Sequence, residues 1–220
     1  MSISAKVVKE LREQTGAGMM DCKAALNESD GDLDKAKTWL REKGMASAAK
    51  RAGRVAAEGA VCSYIHMGGK FGVLAEINCE TDFVARGEQF QKLCKDICLQ
   101  ICSAAPRWIR REDVPADVIA AEKKIYIKQM ADSGKPENIL EKIAEGKLGK
   151  FYSENCLLEQ PFVKEPKTKV EDLIKELSGL IGEKIDVRRF ERYQLGEGIE
   201  KARVDFAEEV AQVVAEAKGD

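Results

Sequence analysis

The residues best suited to act on something outside the chain lie in the run Asn78-Cys79-Glu80-Thr81-Asp82-Phe83-Val84-Ala85-Arg86. It opens with a helix-capping pattern and sets a carboxylate, Asp82, beside a large aromatic, Phe83. At a strand-to-helix corner such side chains project outward and can be pushed into a partner. The same residues also fit a plain cap, in which Thr81 or Asp82 satisfies free helix N–H groups while Phe83 drops into the core. The residues alone leave both readings open.

Other chemistry finds little footing. His66 is the single histidine, so a nucleophile-histidine-carboxylate triad has only one place to form, and no Gly-x-Ser-x-Gly elbow accompanies it. The phosphate-loop pattern is absent, so the chain is not expected to bind a nucleotide of its own. Gly196-Glu197-Gly198 lacks the third glycine of a dinucleotide fingerprint and reads as a turn before the last helix. Cys94, Cys98 and Cys102 recur every fourth residue on one helix face, without a Cys-x-x-Cys pair or nearby histidine to complete a zinc site, and are expected as small buried hydrophobes. We expect no enzyme, no cofactor and no metal.

The 220 residues are 44% hydrophobic and 34% charged, as in a soluble globular protein with one good core or two small ones. A net charge of -2 and a pI near 5.8 argue against general nucleic-acid binding. No basic-apolar leader opens the chain and no apolar run is long enough to span a bilayer. The odd count of seven cysteines (Cys22, Cys62, Cys79, Cys94, Cys98, Cys102, Cys156) fits reduced thiols. A cytoplasmic location is expected.

Elements that would position the corner follow from periodicity. Residues 1 to about 44 read as three short helices. Ser4 caps the first, which carries Val7, Val8 and Leu11; the second runs from about Met19 to Glu28; Asp30-Gly31-Asp32 caps the third, which Gly44 ends. Met45 to Ala57, rich in alanine with Lys50, Arg51 and Arg54, reads as a linker, partly helical at most. Gly59–Met67 and Phe71–Asn78 read as strands joined at Gly68-Gly69, with Phe71, Val73, Ala75 and Ile77 on one face. A helix bearing Phe90, Leu93, Ile97 and Ile101 follows the corner.

Residues about 112–166 form an excursion of two helices around Ser133-Gly134-Lys135-Pro136. An amphipathic helix over Val170–Leu180, a strand over Lys184–Tyr193 and a final helix over Val204–Ala217 complete an α+β order. We expect a three-helix unit with its linker over 1–54, a small antiparallel-sheet core over 55–194, and a C-terminal helical module over 195–220.

The run Leu11-Arg-Glu-Gln-Thr-Gly-Ala-Gly-Met-Met-Asp-Cys-Lys-Ala-Ala-Leu26 resembles the N-terminal signature of the translation elongation factor Ts family. Asn78–Ala85, Ser133–Pro136, Gln160–Val163 and Gly196–Lys201 follow in that family's order. The resemblance implies a ubiquitin-associated-like three-helix domain, a coiled-coil arm at the excursion, and a guanine-nucleotide exchange factor for elongation factor Tu that acts by binding. It implies that Phe83 wedges into the partner's G domain while Asp82 helps displace groups supporting its Mg²⁺ site, with Thr81 and Val84 in the same contact.

Tyr64-Ile65-His66 resembles a Tyr-x-His segment on the partner-facing surface of these proteins. Met19, Met20 and Leu11 are expected on the docking surface of the N-terminal unit, although methionines at a helix start usually fill a core and at least one of the two is expected to do so. Larger family members carry two related core subdomains; this chain has room for one, which holds both Tyr64-x-His66 and Thr81-Asp82-Phe83. That departure, with a small sheet exposing edges and a face, leads us to expect a homodimer. The alternative is an adaptor, or a binder of ubiquitin-like domains, without exchange activity.

Overall fold

The computed structural model describes residues 3–130 and 136–199. Three helices open it: α1 (Ala5–Thr15), α2 (Met19–Glu28) and α3 (Leu33–Arg51). The Ser4 hydroxyl accepts from the Val7 N–H at the start of α1, and the Asp32 carboxylate accepts from the Asp34 and Lys35 N–H groups at the start of α3. Val8, Leu11, Cys22, Ala25, Leu26 and Ala36 bury one small common core.

Gly44 does not end the third helix. It lies inside α3, which continues to Arg51, so the segment expected as a linker is largely its last two turns. The reason is tertiary: Gly44 faces Gly179 of α8 (Val170–Ile181), where a Cβ added to Gly179 would stand 2.4 Å from the Gly44 Cα. Absence of side chains lets the two backbones touch, and that contact outweighs the weak helix propensity of glycine. Arg41 pairs with Glu176 beside it, and Leu180 reaches into the three-helix core.

Strands β1 (Glu58–His66), β2 (Phe71–Cys79) and β5 (Asp186–Gln194) form an antiparallel sheet in the order β1-β2-β5. The β1–β2 turn needs left-handed backbone, supplied by Gly68 (φ 64°) and Gly69 (φ 93°). Val73, Ala75 and Ile77 of β2 and Val187 of β5 face Phe90, Leu93, Ile97 and Ile101 of α5 (Glu88–Ala104), with Val170 and Ile174 of α8 closing the same core. Cys94, Cys98 and Cys102 sit in it as packing residues. The opposite face leaves Val61, Ile65, Leu74 and Tyr193 exposed, with Ile65, Gly72 and Tyr193 aligned across the three strands.

The excursion comprises α6 (Ala116–Gln129) and α7 (Glu137–Asn155). Val118 and Ile119 share a cluster with Phe151, whereas Lys123 pairs with Glu145 farther along, so the helices run antiparallel. The bend at Ser133–Lys135 and the helix expected over Val204–Ala217 lie outside the described residues. Below the arm is a ribbon not anticipated from sequence, β3 (Pro161–Phe162) with β4 (Glu165–Lys169). Buried Gln160 and Gln100 bond each other there, and Gln160 also donates to the Glu154 carbonyl, which anchors the arm to the core. Mixed helix and small antiparallel sheet agree with the α+β expectation.

Candidate functional site

The corner is built by β2 ending at Cys79 and by a one-turn helix, α4 (Asp82–Ala85). The Thr81 hydroxyl accepts from the Val84 N–H at 3.3 Å and so caps that turn. Phe83 is 84% exposed. The outward reading of the corner is the one observed: the cap belongs to Thr81, Ala85 supplies the buried residue, and the aromatic stands in solvent. Asp82 is exposed beside it, 2.8 Å from Arg86 one turn on, an exposed pair worth roughly 0–1 kcal/mol that a partner can displace. Val84 is half-buried against the core. The Gln91 side-chain amide donates to the Ala85 carbonyl at 2.7 Å and ties α4 to α5.

The approach to α4 is held from far along the chain. One carboxylate oxygen of Glu183 accepts from the Glu80 and Thr81 N–H groups at 3.1 and 3.0 Å, and the other accepts from the Thr81 hydroxyl at 2.6 Å. The Glu80 carboxylate accepts in return from the Lys184 N–H at 2.6 Å and pairs with Arg54. The Lys184 N–H, with Arg54 and Arg51, holds the Glu80 carboxyl below the usual glutamate range. Burial, then Glu183, pushes the Cys79 thiol up to about 11, which keeps it protonated and inert.

Neither Glu183 nor Arg54 was identified from sequence as part of the site. They lie 102 and 26 residues from their partners, and no local periodicity reports a contact of that span.

Tyr64 and His66 lie at the other end of the sheet. Glu58 pairs with Cys79 next to the corner, whereas Tyr64 pairs with Val73 and His66 with Phe71 at the hairpin, so the two segments stand roughly 20–26 Å of extended chain apart. The Tyr64 hydroxyl is 3.0 Å from His66 Nδ1 and the rings stack at 5.7 Å. One chain therefore does not bring Tyr64-x-His66 and Asp82-Phe83 into one cluster.

Met19 and Met20 open α2 on the outside, Met20 at 75% exposure. Leu11 departs from the expectation of a docking contact: it is 0% exposed and enclosed by the three-helix core. No group of His, Cys, Asp or Glu among the described residues is arranged to hold a metal, and no described helix is long and apolar enough to cross a membrane.

The chain also resembles known proteins along nearly its whole length. The family model described as "Elongation factor TS" matches residues 4–197. The chain is 61% identical over 210 residues to the protein named "Elongation factor Ts" from Anaeromyxobacter sp. strain K, covering 96% of each chain. It is 61% identical over 209 residues to the "Elongation factor Ts" of Desulforamulus reducens, covering 95% of this chain and 96% of that one. The "Elongation factor Ts" of Geobacter sulfurreducens is 57% identical over 211 residues, which cover 96% of this chain and 98% of the relative.

Proposed function

Given that this chain belongs to the elongation factor Ts family, we propose that the corner at Thr81–Val84 is the element with which it promotes GDP release from elongation factor Tu. Its role is nucleotide exchange by binding, with no chemical reaction of its own. The adaptor alternative finds no support in the matches. The observation that carries the site is the 84% exposure of Phe83 on a capped and anchored turn. An aromatic of that size left in water at a rigid corner is suited to enter a partner.

In a GTPase, Mg²⁺ and the phosphate loop together hold the β-phosphate, so disturbing either contact weakens nucleotide binding. Phe83 acts as the wedge, and Asp82 exchanges Arg86 for groups around the partner's Mg²⁺ site. Thr81 and Val84 hold the wedge in place. Linkage is reciprocal: GDP weakens binding of this protein by the factor by which this protein weakens GDP. Met19 and Met20 supply docking contact through the three-helix unit. The chain needs no cofactor, no nucleotide of its own and no direct contact with nucleic acid or membrane for this role, which places it in the cytoplasm with its partner.

The separation of Asp82-Phe83 from Tyr64-His66 supports a second element of the reading. The open face carries the exposed apolar side chains Val61, Ile65, Leu74 and Tyr193 among Ser63, Glu76, Arg189 and Glu191, and two such faces packed about a two-fold axis form a homodimer in which each surface combines segments from both chains. Release of labelled GDP from purified elongation factor Tu tests the exchange role, and loss of that release in Asp82→Ala and Phe83→Ala tests the corner.

A further inference from the structure

We propose that Glu183 is a positioning residue for nucleotide exchange, setting the direction in which Phe83 projects. The proposal rests on the reading of Phe83 as the wedge. A helix of four residues, the length of α4, does not hold its shape alone, because nucleation fixes several dihedrals for a single backbone bond. Its conformation has to be imposed. At its exit Gln91 and the buried Ala85 hold it; at its entry the imposing group is one carboxylate. Glu183 takes the N–H groups of Glu80 and Thr81, which fixes the chain entering α4, and it takes the proton of the Thr81 hydroxyl. With that proton committed, the Thr81 oxygen presents a lone pair to the Val84 N–H. Entry and cap are therefore set by the same side chain.

Glu183 is itself held. Helix α8 ends in left-handed Gly182 (φ 85°), and the Glu183 carbonyl accepts from the Ser178 hydroxyl at 2.6 Å. The next residue, Lys184, donates its N–H to the Glu80 carboxylate, and its ammonium donates to the Arg54 carbonyl. The corner and the segment after α8 thus clasp each other, each through a glutamate on the other's backbone. Phe83, by contrast, stands in solvent. An exposed ring displaces a partner's groups only to the extent that its backbone resists being pushed back, and that resistance is what the clasp supplies.

A purely structural role and a positioning role differ in what they move. The test follows fluorescent GDP leaving purified elongation factor Tu by stopped flow, over a range of concentrations of the full chain, with Glu183→Ala and Glu183→Gln, alone and combined with Phe83→Ala. Positioning predicts that Glu183→Ala, which removes all three bonds, lowers the maximal release rate about tenfold or more, and shifts the half-saturating concentration less than about twofold. Glu183→Gln, which keeps an acceptor oxygen, recovers part of the rate. In the Phe83→Ala background, Glu183→Ala has no further effect, because it acts through that ring.

Wild-type maximal rates in both single variants, or a loss that adds in full to that of Phe83→Ala, overturn the proposal. If Glu183→Ala does not fold, Glu183→Gln carries the same comparison. Should Phe83→Ala itself leave release unchanged, the wedge reading fails and this proposal with it; normal dependence on Phe83 with indifference to Glu183 overturns the positioning role alone.

Discussion

Gly44 of α3 and Gly179 of α8 meet backbone to backbone, so closely that a Cβ on Gly179 would lie 2.4 Å from the Gly44 Cα and 2.5 Å from its carbonyl group. The three-helix unit is thereby joined to the core across a contact that tolerates no methyl on Gly179. Gly179→Ala should force the helices apart and lower stability by about 1–3 kcal/mol. Gly146, inside α7, has open space where its Cβ would stand, and Gly146→Ala should raise stability by about 0.4–1 kcal/mol. Thermal denaturation of the two variants checks the opposite signs.

Met20 stands in solvent at the start of α2 and takes no part in the three-helix core. Met20→Ala should therefore leave the melting temperature unchanged while raising the concentration needed for half-maximal exchange. Because the nucleotide site is touched elsewhere, the maximal release rate should stay at its wild-type value. A lowered maximal rate with unchanged half-saturation would move Met20 from docking to exchange.

The clasp has a pH signature. The Lys184 N–H, followed by Arg54 and Arg51, depresses the Glu80 carboxyl. A depressed carboxyl contributes stability above its unfolded pKa and loses that contribution as pH falls through the folded one. Glu80→Gln should thus melt below the wild type at pH 7, and the gap should close as pH drops below about 4. A gap that is constant over that range would show that the charge of Glu80 contributes nothing.

The proposed homodimer would bring together what one chain keeps at opposite ends of its sheet. Mixing a His66→Ala chain with an Asp82→Ala/Phe83→Ala chain should recover part of the exchange activity, since one composite site of the heterodimer is intact. Light scattering that finds a strict monomer at working concentration, together with no recovery on mixing, would remove the dimer and leave the exchange role standing.

Local signals carried far in this chain. Ser4, Asp32 and Thr81 cap the helices that their sequence contexts suggested, α2 spans Met19–Glu28 as expected, and the β1–β2 hairpin turns at its glycines. What stayed hidden was tertiary. Gly44 has the local look of a helix stop, yet α3 runs through it where it packs on Gly179 of α8. Leu11 sits in a signature run together with Met19 and Met20, yet the packing of α1 turns it inward. At the corner itself the residues left Phe83 open between core and solvent, because a capped turn next to a strand end permits either. The Glu183 bonds join segments 102 and 103 residues apart, beyond the reach of any spacing rule.

The most direct measurement is the maximal rate at which fluorescent GDP leaves elongation factor Tu when the wild type, Asp82→Ala or Phe83→Ala is present at saturation. Phe83 is exposed and Asp82 holds only a surface pair, so both variants should stay within about 0.5 kcal/mol of wild-type stability. The account predicts strong acceleration by the wild type and a maximal rate lower by about tenfold or more in each variant, with complex formation largely preserved. Wild-type acceleration by a folded Phe83→Ala protein would contradict it.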